Sequence, residues 1–419
     1  MIKKPYLIIL LVIVLLLTAC NRAKMDVGEE DNFNKKNLKE DTPLKETNET
    51  QDIDEIQELL DNMTLEEKIG QLFIFGINGT KINQNTIELI EKNHIGGFIL
   101  FRENIESGEQ TLELLNDLKE KNKNNPLPLF LAIDEEGGRV SRLPREFPKM
   151  PAAKKIGDIN NKDISFQYGE ILGMRIKSLG FNMDFAPVMD INSNPKNPVI
   201  GDRAFGSTVD IVVDNSIETM KGINSKNIIP VIKHFPGHGD TIVDSHIDVP
   251  IINKSLEELE KLELIPFVKA IENDVDSIMI GHILFSELDD TNPATLSNTI
   301  INHILREKLK FKGVIISDDL NMGAIARNYD IKEAVIKYFK AGGDIALICH
   351  SEEEEYEIFN MIKDEIKNGK IKEEEIDEKV YRIINLKRKY NIEDNTIQNF
   401  NMQKLNGETE KFLKKLKDF

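Results

Sequence analysis

Three of the chain's seven histidines fall in one short stretch, Lys233-His234-Phe235-Pro236-Gly237-His238-Gly239-Asp240-Thr241, continued by Asp244-Ser245-His246. Asp244 and His246 are two apart. In an extended segment that spacing puts both side chains on one side, where a carboxylate can orient an imidazole and the pair can shuttle a proton. The apolar run Ile228–Ile232 just before it has the length of one buried strand. Pro236, Gly237 and Gly239 break regular structure, so the polar side chains that follow the run are expected on a loop.

Other groups able to do chemistry stand in the same relation to apolar runs. Asp134 follows Pro128–Ile133, and Asp190 and Arg203 follow Met183–Val188. His282 follows Ser277–Ile280, Asp318 and Asp319 follow Gly313–Ile316, and His350 follows Asp344–Ile348. Asp318 reads as a nucleophile or base and Asp319 as the structural member, a helix-capping carboxylate. Asp134 faces a ligand, whereas Glu135 and Glu136 are expected against helices or solvent. His234 is read as a substrate contact and His238 as loop packing. His234, His238, His246 and Asp244 also supply zinc-ligand types. Pro236 and Gly237 separate the first two, however, so the spacing matches no helical His-x-x-x-His device, and no metal or cofactor is assigned.

The elements that must hold these groups are eight short apolar runs: 72–76, 95–101, 128–133, 183–188, 228–232, 277–280, 313–316 and 344–348. Amphipathic stretches of helical length lie between them, among them 108–123, 255–272 and 331–341. Near-continuous apolar strands alternating with helices indicate a covered parallel sheet. Eight units indicate a (β/α)8 TIM-like barrel, in which the ends of all strands converge on one functional face. A doubly wound open sheet is the alternative, and no dinucleotide glycine fingerprint supports it.

Residues 1–19 read as a signal peptide: Lys3 and Lys4 precede the apolar run Leu7–Leu17. The ending Leu17-Thr18-Ala19-Cys20 resembles a bacterial lipobox, which implies cleavage before Cys20 and a lipid on its thiol. Residues 20–53 carry almost no large apolar side chains and are expected to be a disordered tether. Residues 54–395 form the single catalytic domain and 396–419 a polar helical tail. Cys349 has no partner for a disulfide once Cys20 is lipidated. A formal net charge of −18 argues against nucleic acid as a partner.

The run from Lys233 to Thr241 with Asp244-Ser245-His246 resembles the signature of glycoside hydrolase family 3, in its β-N-acetylglucosaminidase branch. Supporting matches are Met63–Leu72, Ile133–Val140, Asn182–Val188, Gly201–Gly206, Gly313–Asp318 and Pro293–Ser297. The resemblance covers almost the whole globular part and implies a single-domain member of the branch. It implies Asp318 as catalytic nucleophile, His246 as general acid/base and Asp244 as its partner. Asp134, Arg203, Lys233 and His234 are then the residues that hold the terminal sugar's hydroxyls. The implied reaction is a retaining double displacement on a terminal β-linked N-acetylglucosamine of cell-wall fragments. With the lipobox, the enzyme is expected on the outer face of the cytoplasmic membrane. Three rivals remain: a β-glucosidase, a phosphorylase of the same family, and a non-catalytic wall-binding lipoprotein.

Overall fold

The computed structural model describes residues 49–349, 352–398 and 400–419. Residues 1–48, with the signal segment, Cys20 and most of the tether, lie outside the described residues, as does His350. All eight apolar runs become strands: β1 Phe73–Gly76, β2 Gly97–Leu100, β3 Phe130–Ile133, β4 Met183–Asp184, β5 Ile229–Phe235, β6 Ser277–Ile280, β7 Val314–Ser317 and β8 Ala346–Ile348. They pair in parallel with chain neighbours, from β1–β2 through β6–β7, and β8 pairs with β1 through Phe73 and Ala346. A parallel bridge between Ile316 and Ile345 joins β7 to β8 and completes the ring. This is the (β/α)8 barrel that the alternation of strands and helices implied.

Two strands differ from expectation. β4 is only two residues long. Pro187 has no N–H to give to the ladder, and pairing resumes at Val188, which bridges Lys233. β5 runs further than expected, so Lys233 and His234 lie on the strand itself rather than on the following loop. Charged side chains are tolerated there because their partners are built in, as described below.

The helices relevant here are α1 Glu49–Asn62, α2 Gly108–Asn122, α3 Lys162–Leu179, α4 Ile331–Ala341, α5 Glu373–Lys389 and α6 Met402–Lys415. Ser107 and Asp330 cap α2 and α4 through their side chains, and Gly342 ends α4 at φ 107°. The stretch 255–272 is not one helix: it is broken at 262–264 into Leu256–Lys261 and Ile265–Ile271. α1 starts within the segment read as tether. Its Ile56 and Leu60 are buried in the core. The segment read as a polar tail is amphipathic: Leu405, Phe412 and Leu416 are buried, and the Phe412 ring lies 6.3 Å from that of Tyr168 on α3.

The end of the barrel opposite the strand C-termini is closed by one cation. Lys387 on α5 is buried, and its Nζ donates to Gln71 Oε1 at 2.6 Å, Gly96 O at 3.1 Å and Pro128 O at 2.6 Å. It also lies 4.5 Å from the centre of the Phe130 ring. Three acceptors at the starts of β1, β2 and β3 surround the amine, and burial still pushes its pKa down to about 7. Lys387→Met would leave Gln71 Oε1 and Pro128 O without this donor, whereas Gly96 O keeps the Phe130 N–H at 2.9 Å. We expect a loss of about 2–4 kcal/mol in urea unfolding; an unchanged midpoint would show that these bonds contribute nothing net.

Candidate active site

The C-terminal ends of the strands surround a cavity of about 460 Å³ lined by all seven residues singled out for the reaction: Asp134, Arg203, Lys233, His234, Asp244, His246 and Asp318. On one side of it is a compact set of charges. Lys233 Nζ lies 2.6 Å from Asp134 Oδ1 and 2.7 Å from Glu136 Oε1. Glu136 in turn takes Arg203 in a two-pronged grip, Nε to Oε2 at 2.8 Å and Nη2 to Oε1 at 2.7 Å. Arg142 Nη2 reaches the second oxygen of Asp134 at 3.4 Å. His234 is held by Asp190, Nδ1 to Oδ2 at 2.7 Å, while its Nε2 lies 3.3 Å from Arg203 Nη2.

These charges determine one another. Burial would push the Glu136 carboxyl up, but Arg203 and Lys233 outweigh it and hold the group far below the usual carboxylate range. Asp134 is held down the same way, against burial, by Lys233 and Arg142. Burial works against the Lys233 ammonium, and Asp134 and Glu136 reverse that, so its pKa is raised. The result is a rigid array of ionised donors and acceptors aimed at one cavity, suited to a ligand rich in hydroxyls.

Glu136 is the residue whose importance sequence reasoning missed, and Asp190, noted at its strand end, was given no role. Glu136 was assigned to helices or solvent, yet it is buried and joins Arg203 to Lys233. A signal existed: Glu136 is two residues from Asp134, which in extended chain puts both on one side. Glu135 points the other way, to the buried Arg175 of α3 at 3.5 Å and to Ser141. The short antiparallel pair Glu135–Gly137 and Val140–Ser141 makes this turn. Gly137 there sits at φ 79°, and a Cβ on it would come within 2.2 Å of the Tyr168 hydroxyl.

Asp318 leaves β7 with its N–H bonded to Ile280 O at 3.0 Å, and its side chain is partly exposed to the cavity. Its Oδ1 accepts the Asp319 N–H at 2.9 Å. Among the described residues no partner is recorded for Oδ2. Burial works to raise this carboxyl, but His282, His234 and that N–H hold it below the ordinary aspartate value. It is therefore an anion across the neutral range. Asp319 is structural, as expected, though not as the cap of the next helix, whose N-cap is Met322. Its Oδ1 instead accepts from the N–H groups of Asn321 at 3.0 Å and Cys349 at 3.1 Å.

The imidazole–carboxylate pair is closed on itself. His246 Nδ1 lies 2.8 Å from Asp244 Oδ1, and the same oxygen accepts the His246 backbone N–H at 2.9 Å. Burial opposes the Asp244 charge, and these two bonds outweigh it, lowering its pKa. The His246 side chain is 63% exposed at the cavity rim. Among the described residues its Nε2 has no recorded partner. His238 is buried and packs the loop: Nδ1 meets Thr241 Oγ1 at 2.8 Å and Nε2 meets Ser245 Oγ at 3.2 Å, between the two dyad residues. Burial pushes His238 down to about 4, so it is a neutral strut at physiological pH. Ser245 O also accepts the Ala324 N–H at 3.0 Å, tying the loop to the segment after Asp318. Among the described residues no group of three or more His, Cys, Asp or Glu is arranged to hold a metal.

A buried array of ionised donors and acceptors, a carboxylate with one oxygen unpartnered among the described residues and an imidazole–carboxylate pair at the rim meet on the strand ends of a (β/α)8 barrel. Residues 64–386 match the model of the glycosyl hydrolase family 3 N-terminal domain, and the chain belongs to that family. It is 34% identical over 302 residues to a β-hexosaminidase of Nitrosomonas eutropha, covering 70% of this chain and 85% of that one. It is 34% identical over 330 residues to β-hexosaminidase A of Pseudoalteromonas piscicida, covering 72% of this chain but only 54%, about half, of the relative. Among solved structures, a family 3 β-N-acetylglucosaminidase from Paenibacillus sp. str. FPU-7 superposes with a TM-score of 0.80 at 34% identity, covering 84% of this chain and 68% of that one.

Glu136→Gln keeps the size of the side chain and removes the charge that Arg203 and Lys233 share. We expect a stability loss of about 3 kcal/mol and a raised KM for the glycoside. Wild-type unfolding together with a wild-type KM would show that Glu136 is not the centre of this array.

Proposed function

We propose that the protein is a retaining exo-β-N-acetylglucosaminidase. The observation that carries this reading is the pairing of Asp244 with His246 Nδ1 at the rim of the cavity that Asp318 lines. That bond points the free Nε2 outward as the proton donor. Asp134, Arg203, Lys233 and His234 hold the hydroxyls of the terminal sugar. Asp318 Oδ2 attacks the anomeric carbon as the glycosidic C–O bond breaks, and the leaving oxygen takes the proton from His246 Nε2. A covalent glycosyl-Asp318 results. Water then gives a proton to the neutral Nε2, its oxygen attacks the anomeric carbon, and Asp318 leaves as carboxylate. The relatives whose names specify β-hexosaminidase and β-N-acetylglucosaminidase support N-acetylglucosamine as the sugar removed.

The natural substrate we assign is a peptidoglycan fragment ending in β-linked N-acetylglucosamine. The reading rests on the leader with its lipobox-like ending at Cys20, which supports a location outside the cytoplasmic membrane with a lipid anchor. A neutral base in the second step also avoids repulsion by the carboxylates of such fragments.

The first test compares the 4-nitrophenyl glycosides of N-acetyl-β-glucosamine and β-glucose, with and without phosphate, on wild type and Asp318→Asn. We expect turnover of the acetamido sugar, independent of phosphate and reduced at least about 10³-fold in the variant. Preference for the plain glucoside, strong phosphate stimulation or an active Asp318→Asn would each overturn the assignment. The second test is location: Cys20→Ala is expected to move the protein from the membrane fraction to the soluble one, and retention in the membrane would refute the lipid anchor.

A further inference from the structure

His282 is fully buried at the end of β6 and does not line the cavity. Its ring is bonded on both sides. Nε2 lies 2.8 Å from Asp319 O, and Nδ1 lies 2.7 Å from Thr295 Oγ1. The carbonyl can only accept, so Nε2 carries the hydrogen there. Thr295, buried in the short helical turn Ala294–Leu296, also lies 2.9 Å from Gly281 O, but in the neutral ring Nδ1 is an acceptor and takes the single Thr295 hydroxyl hydrogen. The motif Pro293-Ala294-Thr295-Leu296-Ser297 has no other link to the reaction described above.

Asp319 is the residue whose N–H occupies Oδ1 of Asp318. That bond decides which carboxylate oxygen is left to attack. The terminal torsion of an aspartate is broad and nearly two-fold, so a carboxylate without such a tether rotates freely between its two oxygens. Asp319 is clamped from two strands: His282 grips its carbonyl from β6, and the Cys349 N–H beside β8 grips its carboxylate at 3.1 Å.

We propose that His282, steadied by Thr295, is a positioning residue for the nucleophile: through the Asp319 carbonyl it fixes the peptide N–H that holds Asp318 Oδ1 and leaves Oδ2 aimed at the anomeric carbon. It touches neither sugar nor proton shuttle. Removing it slows attack without loosening the sugar's grip, because Asp134, Arg203, Lys233 and His234 are bound elsewhere. It also sits close enough to Asp318 to count first among the groups that favour the nucleophile's anion. Burial lowers the pKa of His282 itself, so that help is strongest at acid pH, where the ring is protonated.

The test compares His282→Gln with His282→Asn. The glutamine amide reaches where Nε2 stood and can donate to Asp319 O, whereas the shorter asparagine amide reaches only the Nδ1 position. We expect His282→Asn to lose about 30- to 100-fold in kcat with KM within about threefold of wild type, and His282→Gln to keep kcat within about fivefold. Thr295→Ser, which retains the hydroxyl, should resemble wild type, and Thr295→Val should fall between. Thermal melts on each variant establish folding. Equal kcat in the Gln and Asn variants, or a loss carried by KM rather than kcat, overturns the inference. The inference rests on Asp318 as nucleophile, so Asp318→Asn is measured beside it. Turnover surviving in Asp318→Asn removes that assignment and the inference with it, whereas an inactive Asp318→Asn with indistinguishable variants at 282 removes the inference alone.

Discussion

Burying charge is the constraint on which this site depends. Lys233 and Glu136 lie within the barrel wall with almost no access to water, and neither could stay ionised alone. Each is stable only because the other is there, with Asp134 and Arg203 completing the set. An isolated buried pair of this kind is a doubtful source of stability. Its gain here is geometric: four side chains from three strand ends are held in one arrangement by one another. On the proposed function, a sugar that enters would meet donors and acceptors already aligned, leaving little reorganisation for the transition state to require.

The same logic, with opposite purpose, governs the far end of the barrel. Lys387 is as buried as Lys233, but its partners are backbone carbonyls and an amide rather than carboxylates. It lies away from the catalytic cavity and acts as a plug. α6 contributes to stability in a plainer way elsewhere, covering apolar surface of α3 with Phe412. Chemistry at the C-terminal ends and stability at the N-terminal ends is the division of labour expected of a barrel.

Much of this was legible in the residues. Eight apolar runs became eight strands because continuous burial on both faces leaves a simple mark, and the polar residues just beyond them converged because barrel geometry leaves them no alternative. What was illegible had physical causes. Lys233 and His234 looked like loop residues because a charged pair at a strand end violates patterning unless its partners are known, and those lie about a hundred and about forty-five residues away in sequence. Glu136 was lost because composition makes an acidic doublet look solvated, although its alternation with Asp134 carried the information. The break at 262–264 was hidden because its residues keep the amphipathic pattern on both sides. α6 was read as polar because its few apolar residues are spaced to make one narrow stripe rather than a run.

The two halves of the chemistry are encoded very differently. The charged array proposed to hold the sugar and Asp318 are assembled from distant parts of the chain, and no single segment contains them. The proton shuttle is the reverse: Asp244 and His246 find each other within one turn of backbone, bonded by both ring and main-chain N–H. It is a cassette of a few residues, self-contained and facing outward. In evolutionary terms such a unit can be exchanged or shed in one event while the pocket beneath it is inherited unchanged.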